Sequence, residues 1–281
     1  MQTKDPNFSV VLPGGCNGKC KFCFWDRTPG SYTDFTATLR DFVKRRPAKY
    51  DKISITGGEP TLSSAFGITL DLIKGRFSKV VMTTNGGDSL DWIPKIAGVV
   101  QHVNLSRHHN DGGINNSIFG REVHQNVWEI ARRLHAVGID LTLNCVVTSR
   151  LSVKDYLNFA KANNVDAVSF RKQHGTLSPH PIEKAFSKYP VLDEFSCPVC
   201  RTRTQVINGM RVLWKCSSSD PAKVVKDFEL ILHQDGRLAY DWNKLLPYRI
   251  AKPVLKRKRR ICRCSRSNGG GGGGSCHGGM C

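Results

Sequence analysis

The stretch GGCNGKCKFCFWD, residues 14–26, holds Cys16, Cys20 and Cys23 in a C-x3-C-x2-C spacing. Thiolates are soft metal ligands, so three of them this close together point to a metal centre. A structural zinc site closes with four ligands and a disulfide needs two, whereas a trio leaves one corner open. A cubane of four irons and four sulfides has four corners, and cysteines usually ligate them. Three cysteines on such a cluster leave the fourth iron free for a chelating small molecule. The thiols must converge from a loop, and Gly14, Gly15 and Gly18 permit the tight backbone this needs. A zinc knuckle and incidental thiols are the competing readings of the trio.

A second set, Cys197, Cys200 and Cys216, follows a C-x2-C-x15-C spacing. A zinc ribbon would need a fourth ligand after Cys216, and none lies at ribbon spacing. A second iron–sulfur cluster with an open iron is the alternative, and unligated thiols are the third reading. Cys262, Cys264, Cys276, His277 and Cys281 add donors in the tail, but six consecutive glycines between them make ordering costly. Cys145, within LTLNCVVT, reads as a small core residue.

Eleven cysteines in 281 residues is a high count. The opening MQTKDPNFSV lacks the layout of an export signal, so a cytoplasmic protein with reduced thiols is expected. No apolar run approaches the roughly 18–20 residues needed to span a bilayer, so no membrane partner is expected. The net charge is +19; a tail after residue 251 carries eight basic residues and no acid, leaving +11 on the body. Such a field favours anionic partners: nucleotides, nucleic acid or acidic surfaces. The run KRKRR (256–260) is read first as a solvated basic segment.

The elements that must position these residues alternate. Strands are expected at 8–12, 51–56, 79–84, 99–106, 139–148 and 165–172, with helices near 33–45, 62–75, 88–97, 116–137 and 152–163. Thr33-Asp34 is the expected N-cap of the first helix. Six strand–helix units of this kind imply an α/β fold, a partial (β/α)6 barrel of TIM type with parallel strands and right-handed crossovers. In such folds chemistry sits at the carboxyl ends of the strands. The unusual residues gather there: the cysteine loop, GGEP (57–60), NGG (85–87) and SRHHND (106–111). Beyond 176 the rhythm changes, to a proline-containing linker (176–196) and then two hairpins turning on Asn208-Gly209 and Asp235-Gly236. The expected division is a core at 1–175, a small β-rich C-terminal extension at 176–250 and a flexible Gly/Cys-rich tail at 251–281.

C-x3-C-x2-C with Phe22 before the third cysteine, after a first strand, resembles the signature of the radical S-adenosylmethionine superfamily. GGEP at the end of the second strand, about 35 residues on, is similar to a second motif of that family. The stretch CRTRTQVINGMRVLWKC (200–216), with Arg201, Arg203 and the Asn208-Gly209 turn, resembles a segment of the GTP 3′,8-cyclases of molybdenum-cofactor synthesis. Its spacing is a couple of residues longer than usual there, and the chain ends GGMC where that family ends in paired glycines.

The resemblance implies a [4Fe-4S] cluster on Cys16, Cys20 and Cys23 whose open iron binds S-adenosylmethionine. One electron then cleaves the sulfonium, and the resulting 5′-deoxyadenosyl radical takes hydrogen from a substrate. It implies that Gly57, Gly58, Glu59 and Pro60 approach the methionine amino group and that Phe22 lies near the adenine. Thr84, Asn85, Ser106, Asn144 and Arg171 are the further expected cofactor contacts, each with helix capping as its bland reading. It also implies a second [4Fe-4S] cluster on Cys197, Cys200 and Cys216 and a reductase or flavodoxin-type electron donor. The substrate is expected to be a nucleotide or nucleic-acid base. A peptide-modifying enzyme and a non-catalytic iron–sulfur or zinc protein binding nucleic acid are the alternatives.

Overall fold

A computed structural model describes residues 6–23, 25, 30–123, 125–147, 151–173, 186–196, 200–217, 228–242, 244, 246–248 and 250. Strand β1 (Asn7–Leu12) leads into helix α1 (Tyr32–Arg45), then β2 (Lys52–Gly57), a 3-10 turn (Pro60–Leu62) and α2 (Phe66–Ile73). Next come β3 (Lys79–Thr84), α3 (Trp92–Ile96), β4 (His102–Ser106), α4 (Gly112–Phe119) and α5 (Val127–Ala136). Strand β5 (Asp140–Val147), α6 (Val153–Ala162) and β6 (Ala167–Lys172) complete the six-strand series. β7 (Asp193–Ser196), β8 (Cys200–Ile207), β9 (Met210–Ser217), β10 (Glu229–Leu232) and β11 (Leu238–Ala239) follow.

All eleven strands form one open sheet in the order β11-β10-β1-β2-β3-β4-β5-β6-β9-β8-β7. The six central strands run parallel and in sequence order, as expected of a partial barrel. The two hairpins join opposite ends of this sheet: β10 pairs parallel with β1, and β9 pairs parallel with β6. Their turns fall where the sequence puts them. Asn208 and Gly209 both take positive φ (52° and 77°), which a two-residue hairpin turn of this hand requires, and Gly236 sits at 81°.

Alternation within the strands explains the layering. Val10 and Leu12, Ile53 and Ile55, Val103 and Leu105, Leu141 and Leu143, and Val168 and Phe170 all join the buried core. Successive strand residues point to opposite faces. The same strands therefore turn Ser9, Ser54, Thr83, Asn104, Thr142, Asn144, Ser169 and Arg171 the other way, into the lumen of the barrel. Helix α1 shows the matching outer pattern, burying Phe35, Leu39 and Phe42 at i, i+4, i+7.

Four expectations need correction. The N-cap of α1 is Ser31, which accepts from the Asp34 backbone N–H; Asp34 is an acid in the first turn instead. The helix expected at 116–137 is two helices. Gly120 ends α4 in the left-handed conformation (φ 67°), and Asn126 caps α5 by accepting from the Glu129 N–H. Residues 99–101 precede β4 instead of belonging to it. Of the expected linker, 176–185 lies outside the described residues, while Asp193–Ser196 is an edge strand.

The Gly120 break brings the α4–α5 connection onto the cysteine loop. A Cβ at Gly120 would lie 3.1 Å from the Lys19 Cβ and 3.3 Å from its carbonyl oxygen. Gly120→Ala adds left-handed backbone strain to that contact and should cost about 1–2 kcal/mol. Urea denaturation checks this, and an unchanged midpoint would remove the connection from the loop's support.

Candidate functional site: the cysteine loop at the strand ends

The loop leaving β1 is clamped to the end of β2. A Cβ on Gly58 would fall 2.4 Å from the Gly15 carbonyl oxygen and 2.9 Å from the Trp25 ring, so only glycine fits. The same carbonyl accepts from the Glu59 backbone N–H at 3.0 Å. Gly57 packs on Leu12, 3.1 Å from Cβ position to carbonyl oxygen. Pro60 opens the 3-10 turn that Glu59 caps.

Glu59 is 2% exposed, and its carboxylate accepts four hydrogen bonds. Thr61 supplies its N–H (3.1 Å) and hydroxyl (2.8 Å), Thr84 its hydroxyl (2.5 Å) and Asn85 its N–H (2.6 Å). Burial pushes its pKa above the ordinary carboxylate value, while these four donors pull it back. Glu59 thus ties β2 to β3.

Thr84 and Asn85 share that role. The Thr84 hydroxyl also accepts from the Gly86 N–H. The Asn85 carboxamide donates to Asn17 Oδ1 at 2.6 Å and reaches Cys16 Sγ at 3.8 Å. Asn17 donates to Asp88, which Arg121 also grips at 2.9 Å. These partners hold Asp88 below the usual carboxylate pKa, the Asn17 hydrogen bond leading.

A second support faces the loop from the α4–α5 side. The Lys19 N–H donates to the Phe119 carbonyl at 2.7 Å, and the Phe119 ring lies 3.4 Å from the Gly18 Cβ position. The Phe22 ring meets His108 edge-on, with centroids 4.9 Å apart, and His108 in turn packs on Phe119. His108 is anchored three ways. Its Nδ1 accepts from the Val146 N–H, its own N–H donates to Asn115, and its carbonyl accepts from Cys145 Sγ. Burial, with the neighbouring Arg107 charge, lowers its pKa to about 3, so the ring is neutral.

Cys16 and Cys20 are half-buried and Cys23 is exposed. A Cβ on Gly18 would sit 3.6 Å from both the Cys16 and Cys20 sulfurs, and the Gly18 N–H donates to Cys16 Sγ at 3.3 Å. The Cys23 N–H bonds the Cys20 carbonyl, so the third thiol follows one turn later. Among the described residues, no three His, Cys, Asp or Glu side chains surround a point that could hold one metal ion. A four-iron cluster does not require that, because each thiolate binds its own iron. A cavity of about 490 Å³ opens beside Cys16, between Gly14, Trp25 and Tyr32.

Ser106, Asn144 and Arg171 stand on the far wall. Ser106 pairs in register with Asn144, and Asn144 with Ser169. The Ser106 carbonyl accepts from Gln125, and the Asn144 carbonyl from the Arg107 N–H. The Arg171 Nε is buried without a partner. Sequence reasoning missed Gln125, whose amide bridges the carbonyls of Asn85 and Ser106 and so joins β3 to β4. It lies in the break of a pattern read as one helix, which hid it. Cys197 is outside the described residues. The backbones of Cys200 and Cys216 lie one register step apart, in the pairs Cys200–Ser217 and Arg201–Cys216.

An open parallel α/β barrel with a three-cysteine loop at its strand ends defines the class. A model of the radical SAM superfamily matches residues 10–162, more than half of the chain. The chain belongs to that superfamily, whose members use S-adenosylmethionine and an iron–sulfur cluster. An S-adenosylmethionine-dependent nucleotide dehydratase from a Thermoplasmatales archaeon is 31% identical over 161 residues, covering 54% of this chain and 56% of that protein. A probable GTP 3′,8-cyclase from Pyrobaculum aerophilum is 32% identical over 167 residues, covering 53% and 52%. The chain thus spans about half the length of these curated relatives. Streptococcus suis SuiB bound to S-adenosylmethionine shares the fold at TM-score 0.61 and 16% identity, covering 85% of this chain and 61% of that one. The anSMEcpe enzyme with a bound peptide does so at 0.58 and 17%, covering 86% and 75%.

Two outcomes follow from the geometry. Gly58→Ala should unseat the cysteine loop and cut the iron bound after reconstitution by at least half, read as iron per chain; undiminished iron would contradict the clamp. His108, with its folded pKa below the unfolded value near 6.5, contributes stability that is complete above pH 6.5 and lost as pH falls towards 3. His108→Phe should flatten that acid limb by a few kcal/mol in order of magnitude, measured by urea denaturation at pH 7 and pH 4.5.

Proposed function

We propose that this protein is a radical S-adenosylmethionine enzyme carrying its catalytic [4Fe-4S] cluster on Cys16, Cys20 and Cys23. The observation that carries the reading is the clamp of the Gly58–Glu59 backbone on the carbonyl next to Cys16, which holds the three-cysteine loop at the strand ends. When bound, the cluster supplies the electron that cleaves the sulfonium of S-adenosylmethionine to methionine and a 5′-deoxyadenosyl radical.

The chain's own residues place the cofactor and keep water away. Gly57 and Gly58 leave backbone room at the end of β2 for the methionine amino group. Phe22, held against His108, offers an apolar face to the adenine. Asn144 presents a half-buried carboxamide that makes no hydrogen bond among the described residues, beside Ser106, and the pair suits ribose or carboxylate oxygens. Thr84 and Asn85 act behind the loop, through Glu59 and Asn17.

The substrate class we favour is a nucleotide or nucleic-acid base, supported by the net charge of +19 and by similarity to a nucleotide dehydratase and a GTP cyclase. Fold likeness to SuiB and anSMEcpe, solved with peptides, supports peptide modification as the second reading. Cys197, Cys200 and Cys216 in the extension at 176–250 are the proposed ligands of a second [4Fe-4S] cluster. A reductase or flavodoxin-type donor supplies the electron, and the reduced thiols suit a cytoplasmic location. No helix among the described residues is long and apolar enough to cross a membrane.

Anaerobically reconstituted protein given dithionite and S-adenosylmethionine should release 5′-deoxyadenosine, and Cys16→Ala should abolish it. Protein with intact cluster absorbance and no such product, or protein binding only zinc at this loop, would overturn the enzymatic reading.

A further inference from the structure

The residue that follows β3 is held at both backbone groups and at both ends of its side chain. Asn85 is 6% exposed. Its backbone N–H donates to the Glu59 carboxylate at 2.6 Å, and its carbonyl accepts from Gln125 at 2.6 Å. Its Oδ1 accepts from the Gly87 N–H at 2.9 Å, which settles which end of the carboxamide is the donor. The amide nitrogen therefore turns its two hydrogens on the cysteine loop. One reaches Asn17 Oδ1 at 2.6 Å and the other Cys16 Sγ at 3.8 Å. The Gly18 N–H meets the same sulfur at 3.3 Å.

The two bonds of the Asn85 amide differ in what they can do. The one to Asn17 holds the loop to β3. The one to sulfur adds little to that hold while Cys16 is a neutral thiol, because a thiol is a weak acceptor. Its strength grows with the negative charge on the sulfur. A four-iron cluster gains one negative charge when it takes an electron, and its thiolate ligands share it. Hydrogen bonds to the ligand sulfurs stabilise that reduced form more than the oxidised one, and so help to set the reduction potential. Burial of the carboxamide strengthens the effect, because little water competes for the sulfur on that side.

We propose that Asn85 sets the reduction potential of the cluster carried by the cysteine loop, through the hydrogen bond of its carboxamide to the Cys16 sulfur. The proposal rests on the cluster reading above and deepens it. Asn85 then acts through Cys16 and touches neither S-adenosylmethionine nor substrate. Glu59 has a definite part in this: by accepting from the Asn85 N–H it fixes the place from which the amide is aimed. The electron itself comes from the external donor, and no bond of the chain is made or broken.

The test is a redox titration of the full chain, reconstituted anaerobically and poised with dithionite and mediators, without S-adenosylmethionine. The reduced cluster is followed by electron paramagnetic resonance, as the component of the signal that Cys16→Ala removes. Asn85→Leu keeps the shape of the side chain and has no donor. At a fixed solution potential it should lower the reduced-to-oxidised ratio about tenfold, a fall of about 59 mV in midpoint for one electron. Asn85→Ser, too short to reach the sulfur, should do the same and decides the matter if Asn85→Leu fails to fold. Asn17→Ala loosens the same loop but takes no donor from sulfur, and should change the ratio by less than about threefold. An unchanged or raised potential in the Asn85 variants overturns the proposal. So does an equal fall in Asn17→Ala, or loss of all iron from both Asn85 variants, which would make the residue a support for assembly alone. Wild type that assembles no cluster sinks the enzymatic reading as well, whereas a cluster whose potential ignores Asn85 sinks this inference alone.

Discussion

The approach of two backbones governs this site: Gly58 passes the Gly15 carbonyl at a distance that excludes any side chain. The contact matters because the cysteine loop has little apolar surface with which to fix itself. Cys23 and Lys19 are exposed, and burial cannot decide where the thiols sit. The Glu59 N–H therefore does it directionally, by hydrogen bond to the Gly15 carbonyl. Its side chain transmits the placement to β3 through Thr84 and Asn85 and back to the loop through Asn17. A buried carboxylate is costly unless its oxygens are satisfied, and four donors satisfy this one.

The same logic explains the far support. Lys19 is tied to the Phe119 carbonyl, and Phe22 to His108, by elements from the other half of the barrel. A loop held from both β2 and α4 has few ways to rearrange when a cluster is inserted, which limits the ordering entropy lost at that step. His108 contributes because it is neutral: a charged imidazolium there would face Arg107 within the same buried turn.

Much of the barrel was legible in the sequence. β3 was located to the residue, and β1, β2, β5 and β6 within one or two, because β-branched residues with period-2 alternation are a local signal. The hairpins were legible because Asn-Gly and Asp-Gly supply positive φ. The α4–α5 break was not: residues 116–137 keep a helical apolar rhythm, and only the left-handed Gly120 and the Asn126 cap interrupt it. The cysteines and GGEP announced themselves by spacing. The hydrogen bonds that the Glu59 carboxylate accepts from Thr61, Thr84 and Asn85 were not legible, because the motif does not show which residues of β3 face it. Where the hairpins attach was invisible, because the pairing of β10 with β1 joins residues more than 200 apart.

That attachment gives the barrel two unlike walls. On the β1–β3 side the lumen polar groups bond one another: Asn7 to Ser9, Ser9 to Glu229, Ser54 to Asn7. Such a saturated network costs nothing to keep closed and favours a single arrangement. On the β5–β9 side Ser169 and Arg171 keep atoms buried and unpaired, beside Lys215. Folding alone gives no reason to leave them so, since apolar residues of the same shape would be cheaper. The asymmetry leaves one wall of the lumen hydrogen-bonded within itself and the other with buried polar atoms, on Ser169 and Arg171, that no described protein group satisfies.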